Sequence, residues 1–502
     1  MGRKQGVILS YILMIFEILS TLLITPFMIR SLGQAEYGVY KLSASITAYL
    51  LLLDLGVGNA IIRYISKYRA NKDTKSEQDF FGVMILFYCV IALLSLVGGT
   101  VLVALFSTVF SAGLSAEEIM LGKKLLLITV VNASVTLGTV VYSNVIVAYE
   151  RFGISRGSSI LQIILRMILT VVALKLGMGS IGIVAVNLLM TILCRGFFVV
   201  YVFWGIKLRP NFRGISFAFV KDILIYSGWI LVQMVATQIN VSMDQILLGT
   251  LVSGSVTIIA VYSVGTQVVQ YFRSLGSSFT GVLMPGFVRL VEQNSSGQRI
   301  CEEMVRIGRL ILIFLGLIWS GFTVFGQQFI ILWAGSPNSN AYYVALILMT
   351  VYLFILTESI GSQILWAKNE HKEQALLKLC VVLVNIALTV VLIRWNPLLG
   401  ATIGTFIALF AGDILVMNIL FSKKLGISLH RYYCGLFKGV LPSILITVGM
   451  GFAVNLLPVY GWGGLILKIV VICILYAAVL WGCGLNAYEK KLFISLLKLK
   501  GR

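Results

Sequence analysis

Fourteen apolar runs, each long enough to cross a bilayer as a helix, take up most of this 502-residue chain. They lie at about 8–32, 40–62, 80–108, 123–148, 158–176, 180–204, 223–250, 256–288, 307–334, 341–366, 375–393, 398–421, 439–458 and 463–484. A helix needs about 20 apolar residues to cross a hydrocarbon core of about 30 Å. Hydrophobic residues make up 59% and charged residues 12% of the chain, far from the composition of a soluble domain. The expected fold is an all-α integral membrane protein with about fourteen transmembrane helices. The first run lacks a short apolar core ending in a small-residue cleavage site, so it is expected to stay as a helix and not be removed as a signal peptide.

Positive charge alternates between the gaps. Twenty-nine of the thirty-nine Lys and Arg residues fall in the even gaps and at the two termini. The odd gaps and their margins hold only Arg30, Lys123, Lys124, Lys175 and Arg394. Lys and Arg are retained on the cytoplasmic side during insertion, so both termini are expected inside a bacterial cytoplasmic (inner) membrane. The net charge of +20 is mostly this topological signal. No gap is long enough to gather it on one soluble face, which excludes nucleic acid as a partner. The turn at 150–156 reads as one of the cytoplasmic loops.

Catalytic and metal chemistry find no support. The seven Cys residues are scattered without paired spacing, and both His residues, His371 and His430, lie in loops. No metal site, no nucleophile–His arrangement and no phosphate-binding Gly-rich loop can be assembled, so the chain is expected to be no enzyme and to hold no cofactor. Any driving force must come from an ion gradient, the membrane potential or consumption of substrate on the far side.

Two basic links interrupt the even spacing, 205–222 and 422–438. They divide the chain into an N-terminal six-helix bundle (1–206), a cytoplasmic linker (207–222), a C-terminal six-helix bundle (223–421), a second cytoplasmic linker (422–438), helices 13 and 14 (439–484) and a basic cytoplasmic tail (485–502). The bundles read as pseudo-symmetric copies. Tyr37-Gly-Val-Tyr40 opens the second run after a Leu-Gly exit, and Ile259-Ala-Val-Tyr262 opens the eighth after another. Six is even, so the copies would enter the membrane in the same sense, as parallel repeats with a substrate site near the midplane.

Charges inside the runs carry the functional argument, because each costs about 2.5–3.5 kcal/mol at a helix centre unless it faces a cavity or a partner. They are Glu17, Asp54, Arg166, Arg195, Asp244, Arg273, Glu358 and Asp413. Lys41 and Lys468 lie near run ends, where a lysine can snorkel, and carry less weight. Polar residues line up with some of these charges at steps of four, three and four, which puts them on one helix face. The seventh run carries Gln233, Thr237, Asn240 and Asp244; the eighth carries Thr266, Gln270, Arg273 and Ser277. The fourth carries the uncharged set Asn132, Thr136, Thr139 and Ser143. Stripes containing Asp or Arg point to a hydrated cavity, while the uncharged stripe serves equally well as interhelical hydrogen-bond glue. Arg166 and Arg195 lack stripes; structural ion pairs with Glu17, Asp54 or Asp413 are an equal alternative for them.

The opening segments Ile24-Thr-Pro-Phe-Met-Ile-Arg-Ser-Leu-Gly-Gln-Ala-Glu-Tyr-Gly-Val-Tyr40 and Leu53-Asp-Leu-Gly-Val-Gly-Asn-Ala-Ile-Ile-Arg-Tyr-Ile-Ser66 resemble bacterial polysaccharide repeat-unit flippases. Asn240-Val-Ser-Met-Asp-Gln-Ile-Leu-Leu-Gly249 resembles the seventh-helix motif of the same family. The wider superfamily includes multidrug/toxin extruders and lipid II flippases. The resemblance implies translocation of an undecaprenyl-pyrophosphate-linked oligosaccharide to the outer leaflet for O-antigen, capsule or another surface polysaccharide. It further implies contact with membrane lipids, coupling to a proton or sodium gradient, and a polysaccharide polymerase and chain-length regulator as partners. Arg273 would hold the pyrophosphate, followed by Arg30, Arg166 and Arg195, since a guanidinium binds phosphate oxygens in pairs. Gln270, Thr266, Gln233, Asn240 and Asn132 would meet the sugars, and Glu17, Asp54, Asp244 and Glu358 would couple the ion. Helices 13 and 14 would flank an opening for the lipid tail. A multidrug/toxin-type cation antiporter and a lipid II flippase are the alternatives. The lipid II flippases rely on arginines in helices 1, 2 and 8, whereas this chain carries Glu17 and Asp54 inside helices 1 and 2.

Overall fold

The computed structural model describes the backbone of residues 3–212, 217–292, 296–368 and 370–499, with side chains over 9–212, 231–278, 296–365, 368, 370, 372–492 and 494–495. Among these residues the regular structure is entirely helical. The chain packs as two compact units, Met1–Ala260 and Val261–Arg502. The division therefore falls one helix after the link at 207–222, and residues 213–216 of that link lie outside the described residues.

The first unit holds α1 (Arg3–Leu50), α2 (Val57–Ala70), α3 (Thr74–Phe110), α4 (Ala116–Gly138), α5 (Val140–Ala148), α6 (Phe152–Lys175), α7 (Gly179–Val200) and α8 (Phe217–Leu251). Helix α9 (Val256–Glu292) begins in the first unit and continues in the second. The second unit then holds α10 (Gly297–Ala334), α11 (Ala341–Ala367), α12 (His371–Leu392), α13 (Pro397–Leu409), α14 (Met417–Leu425), α15 (Leu429–Phe437), α16 (Val440–Asn455), α17 (Gly461–Val479) and α18 (Ala487–Leu499).

Every apolar run is helical, some of them with a break inside. Ten described helical segments are long and apolar enough to cross a membrane, or eleven when α15 and α16, bent by 42°, count as one span. The first segment, Leu9–Ala70, runs for 62 residues. At about 1.5 Å per residue that is about three hydrocarbon thicknesses, too long for one crossing. It holds the first two runs, and the chain turns between them at Gly33, whose φ of 73° and ψ of 173° lie outside the range open to side-chain-bearing residues. The seventh and eighth runs are α8 and α9, parts of which lie outside the described side chains.

Much of the exposed surface on these helices is apolar, as a lipid solvent requires. Along α3, Val90, Leu93, Leu94, Val97 and Val101 face outward, while Tyr88, Ile91, Ser95 and Gly99 face inward three or four residues apart. On the inward face α3 meets α4, where a Cβ at Gly99 would collide with Val130. Helix ends carry ordinary capping chemistry. Ser115 and Glu118 form a reciprocal capping box at the start of α4. Asp73 accepts from the Ser76 amide at 3.1 Å to cap α3, and Ser76 holds its carboxyl below the usual range.

Several expected loops are helix instead. The polar stretch after Gly33 continues α1 through Tyr40, despite Gly38 within it. The 150–156 turn reduces to Glu150 (φ 55°) and Arg151, and α6 starts at Phe152. The second link contains α15, and the basic tail contains α18.

Candidate functional site

The second run is a broken helix. Leu51–Asp54 forms a 3-10 turn, and Leu55 (φ 55°) and Gly56 (φ 70°) then adopt left-handed conformations before α2 begins. A left-handed leucine costs about 1–2 kcal/mol, a strain that persists only where the surroundings impose it. Asp54, expected inside a continuous helix, therefore sits at the break. Its Oδ1 accepts a 2.8 Å hydrogen bond from Tyr88 on α3. A Cβ at Gly58 would lie 2.7 Å from Asn144 Nδ2, so Asn144 of α5 closes the same group. Tyr88 is fully buried. Tyr88→Phe should lower stability by about 1–3 kcal/mol, the cost of leaving a shielded carboxylate short of a donor. Denaturant unfolding of the purified variant checks this; an unchanged midpoint would dissociate Tyr88 from Asp54.

The stripes meet different fates. On α8, Gln233 is half-buried and Thr237 exposed, but Asn240 and Asp244 are buried. The stripe runs into α1, where Tyr49 lies beside Asp244 and Ser45 bonds Gln245. The third stripe spans the break between α4 and α5: the Thr136 and Thr139 hydroxyls turn back to α4 carbonyls at 2.8 and 2.6 Å, and Ser143 to the Val140 carbonyl of α5 at 2.8 Å. Asn132 of α4 is half-buried, and its Oδ1 is buried without a partner.

On α9, Thr266 and Arg273 are half-buried and Gln270 and Ser277 exposed, while Tyr262, Ser263, Gln267 and Phe272 are buried. The Arg273 guanidinium lies 4.6 Å from the centre of the Tyr352 ring on α11, a cation–π contact. That contact consumes no N–H donor, so the fork can still meet an anion.

Two turns further along α11, Glu358 is 3% exposed. Asn418 Nδ2 donates to both of its oxygens at 3.1 Å, and Tyr433 Oη donates to Oε1 at 2.5 Å. These three donor contacts come from neutral groups, which suits a carboxyl that exchanges a proton or small cation. Asp413 stands in the π-helical turn Phe410–Val416 and pairs with Lys378 Nζ at 2.5 Å.

The ion pairs considered for Arg166 and Arg195 do not form among the described residues. Asp413 is taken by Lys378 and Asp54 by Tyr88, while Glu17 is exposed on α1, as is Arg30. Arg195 is half-buried 6.0 Å from the Phe198 ring centre. Arg166 is half-buried in a polar cavity of the first unit. Lys468 does not snorkel: it is 4% exposed, and Gln328 Oε1 and the Asn455 carbonyl and side-chain oxygens accept from it at 3.3–3.4 Å. These three neutral oxygens replace the water that snorkelling would have sought. No group of three or more His, Cys, Asp or Glu side chains converges among the described residues.

Long lipid-facing helices enclosing charged and amide side chains define a multi-pass membrane protein with the architecture of a transporter. Residues 4–291 match the family described as polysaccharide biosynthesis protein, and the chain belongs to that family. The matched stretch includes all the motifs that resemble repeat-unit flippases. A Shigella flexneri protein provisionally named as an O-antigen transporter is 22% identical over 411 residues, covering 79% of this chain and 92% of that one. Among solved structures, the inward closed lipid II flippase MurJ matches 95% of this chain and 97% of its own, at a TM-score of 0.73 and 17% identity. The MATE multidrug transporter DinF-BH, in complex with R6G, matches 86% and 96% at 0.58 and 14%. At these identities the two structures establish the shared fold.

Proposed function

We propose that the chain flips an undecaprenyl-pyrophosphate-linked oligosaccharide repeat unit from the inner to the outer leaflet of the bacterial cytoplasmic membrane, with both termini inside. The observation that carries this reading is the family match across 4–291, which covers the whole polar inventory of the first unit and Arg273. The chemistry of the site supports it. A translocated pyrophosphate needs a desolvated cation, and Arg273 keeps its donors available on the open face of α9. Sugars need amides and hydroxyls, which Gln270, Thr266, Gln233, Asn240 and Asn132 offer in graded exposure. Alternating access would bring these groups to each side in turn.

Ion coupling falls best on Glu358, the buried carboxylate held by Asn418 and Tyr433, with Asp54 at the helix break next. Asp244 is packed against α1 and Glu17 is exposed, so each is less suited to a shielded exchange site. For the lipid tail, α10 and α17 form an apolar groove with a cavity of about 310 Å³, lined by Leu317, Gly321, Phe325, Leu465, Ile469 and Ile472. Helix α17 is the fourteenth run, on the side where a tail opening is expected. A polymerase and a chain-length regulator would receive the flipped unit.

Deleting the gene and assaying lipid-linked intermediates tests the reading. Repeat units should accumulate on the cytoplasmic leaflet and surface polysaccharide should be lost. Altered drug sensitivity without such accumulation would replace the flippase with a cation antiporter.

A further inference from the structure

The first unit contains a cavity of about 190 Å³ whose charged lining residues are Lys41 and Arg166, with no carboxylate among the residues that line it. We propose that it is a binding site for a phosphate-type oxyanion, formed wholly within this unit. Such a site adds to the flippase reading a cationic station built within the first unit, and rests on that reading only for the biological source of the anion.

Three helices build it. Ser20 comes from the first half of α1, Tyr40 and Lys41 from the half beyond Gly33, Arg166 and Thr170 from α6, and Asn187 from α7. The turn at Gly33 is what folds the two halves of α1 back so that Ser20 and Lys41 meet. Arg166 and Thr170 are four residues apart and share a helix face. Tyr40 hydrogen-bonds Asn187 and lies within electrostatic reach of the Arg166 guanidinium. Lys41 Nζ sits 5.3 Å from the Tyr37 ring centre, which brackets the ammonium on its apolar side.

Two cations sharing a pocket repel each other and cost about 2.5–3.5 kcal/mol apiece in a membrane setting. No Asp or Glu ion pair with Arg166 occurs among the described residues. An anionic guest offsets that cost, and the donors match an oxyanion. The guanidinium supplies a planar fork, the ammonium a point charge, and Ser20, Thr170 and Asn187 neutral donors. Size points the same way. Pockets for drug-sized ligands occupy about 300–1,000 Å³, so this smaller one suits a phosphate or diphosphate group. Lys41, discounted from sequence because of its place near a run end, becomes the second ligand.

The full chain, purified in detergent, can be titrated with inorganic phosphate, inorganic pyrophosphate and farnesyl diphosphate. At least one should bind, and Arg166→Gln should weaken it at least about tenfold, the effect of losing one bidentate charge-assisted contact. Arg166→Lys should retain part of the affinity. Asn187→Asp, which adds an anion with almost no change of volume, should weaken binding as strongly, so a loss in both variants cannot be put down to misfolding when their elution profiles and melting temperatures match the parent. Preference for farnesyl diphosphate over pyrophosphate would identify a lipid head group as the source; the reverse would identify a free anion. No binding of any of the three, or binding that neither Arg166→Gln nor Asn187→Asp alters, overturns the site. This readout needs no transport, so it stands or falls apart from the deletion experiment.

Discussion

Arg309→Ala is expected to lower the unfolding free energy of the detergent-solubilised protein by about 3–5 kcal/mol, the usual result of removing one partner from a buried ion pair. Arg309 and Glu489 are nearly inaccessible, with side chains 5% and 2% exposed. Every guanidinium donor is used. Nε and Nη2 donate to the two Glu489 oxygens at 2.6 and 2.9 Å, Nη1 to the carbonyls of Gly435 and Lys438 at 3.0 and 2.6 Å, and Nη2 again to Gly484 O at 2.9 Å. One side chain thereby joins α10 to the end of α15, to the π-helical turn after α17 and to α18. Glu489 also accepts from the Asn486 amide while Asn486 Oδ1 accepts from the Glu489 amide, so the same carboxylate caps α18. Removing the guanidinium strands a buried charge and frees the carboxyl-terminal helix. Thermal unfolding and limited proteolysis of α18 measure the two effects. Arg309→Lys should rescue little, because an ammonium cannot reproduce the fork. A variant that unfolds with the parent, its tail still protected, would show the pair to be dispensable.

Arg309 also marks where sequence reasoning stops. As a residue in a basic gap it counts towards orientation, and nothing local predicts that it reaches Glu489, 180 residues away. Long apolar runs are legible because each crossing needs a fixed number of apolar residues, whatever its neighbours. Spacing alone puts Thr266, Gln270, Arg273 and Ser277 on one face of α9 but does not say how exposed that face is: Tyr262, one turn before Thr266, is buried. The α8 stripe begins on an open face as expected, yet its Asn240–Asp244 end is buried because α1 packs there. The break is only half legible: Gly56 and Gly58 signal it, but leucine favours helix, so the left-handed Leu55 before them is not foretold. Choices of ionic partner are silent too. Lys378, counted among the gap charges, takes the Asp413 carboxylate that was a candidate for Arg166 or Arg195. Burial of Lys468 depends on oxygens of Gln328 and Asn455 supplied from elsewhere in the fold, which run-end position does not encode.

Arg273→Ala should reduce surface polysaccharide in a complemented deletion strain to at most about a tenth of the parent level, on the flippase reading. A charge-assisted contact to phosphate is worth about 1.5–3 kcal/mol, and each 1.4 kcal/mol is a factor of ten. Structural loss should be slight by comparison, because Arg273 is half-buried and its described contact is the face of Tyr352, worth about 0.5–2 kcal/mol. Transport and folding therefore separate at this residue, as they do not at Arg309. Membrane quantity and melting temperature give the structural readout, and lipid-linked repeat units retained on the cytoplasmic leaflet give the functional one. Arg273→Lys discriminates further. It keeps the charge but loses the paired donors, so it should restore part of the export only if electrostatics contribute alongside bidentate geometry. Tyr352→Phe should stay near the parent, since a ring face suffices for the cation–π contact; Tyr352→Leu should fall towards Arg273→Ala, because the guanidinium loses the surface that orients it. Normal surface polysaccharide in Arg273→Ala would remove α9 from the substrate path and leave the Lys41–Arg166 cavity as the remaining cationic station.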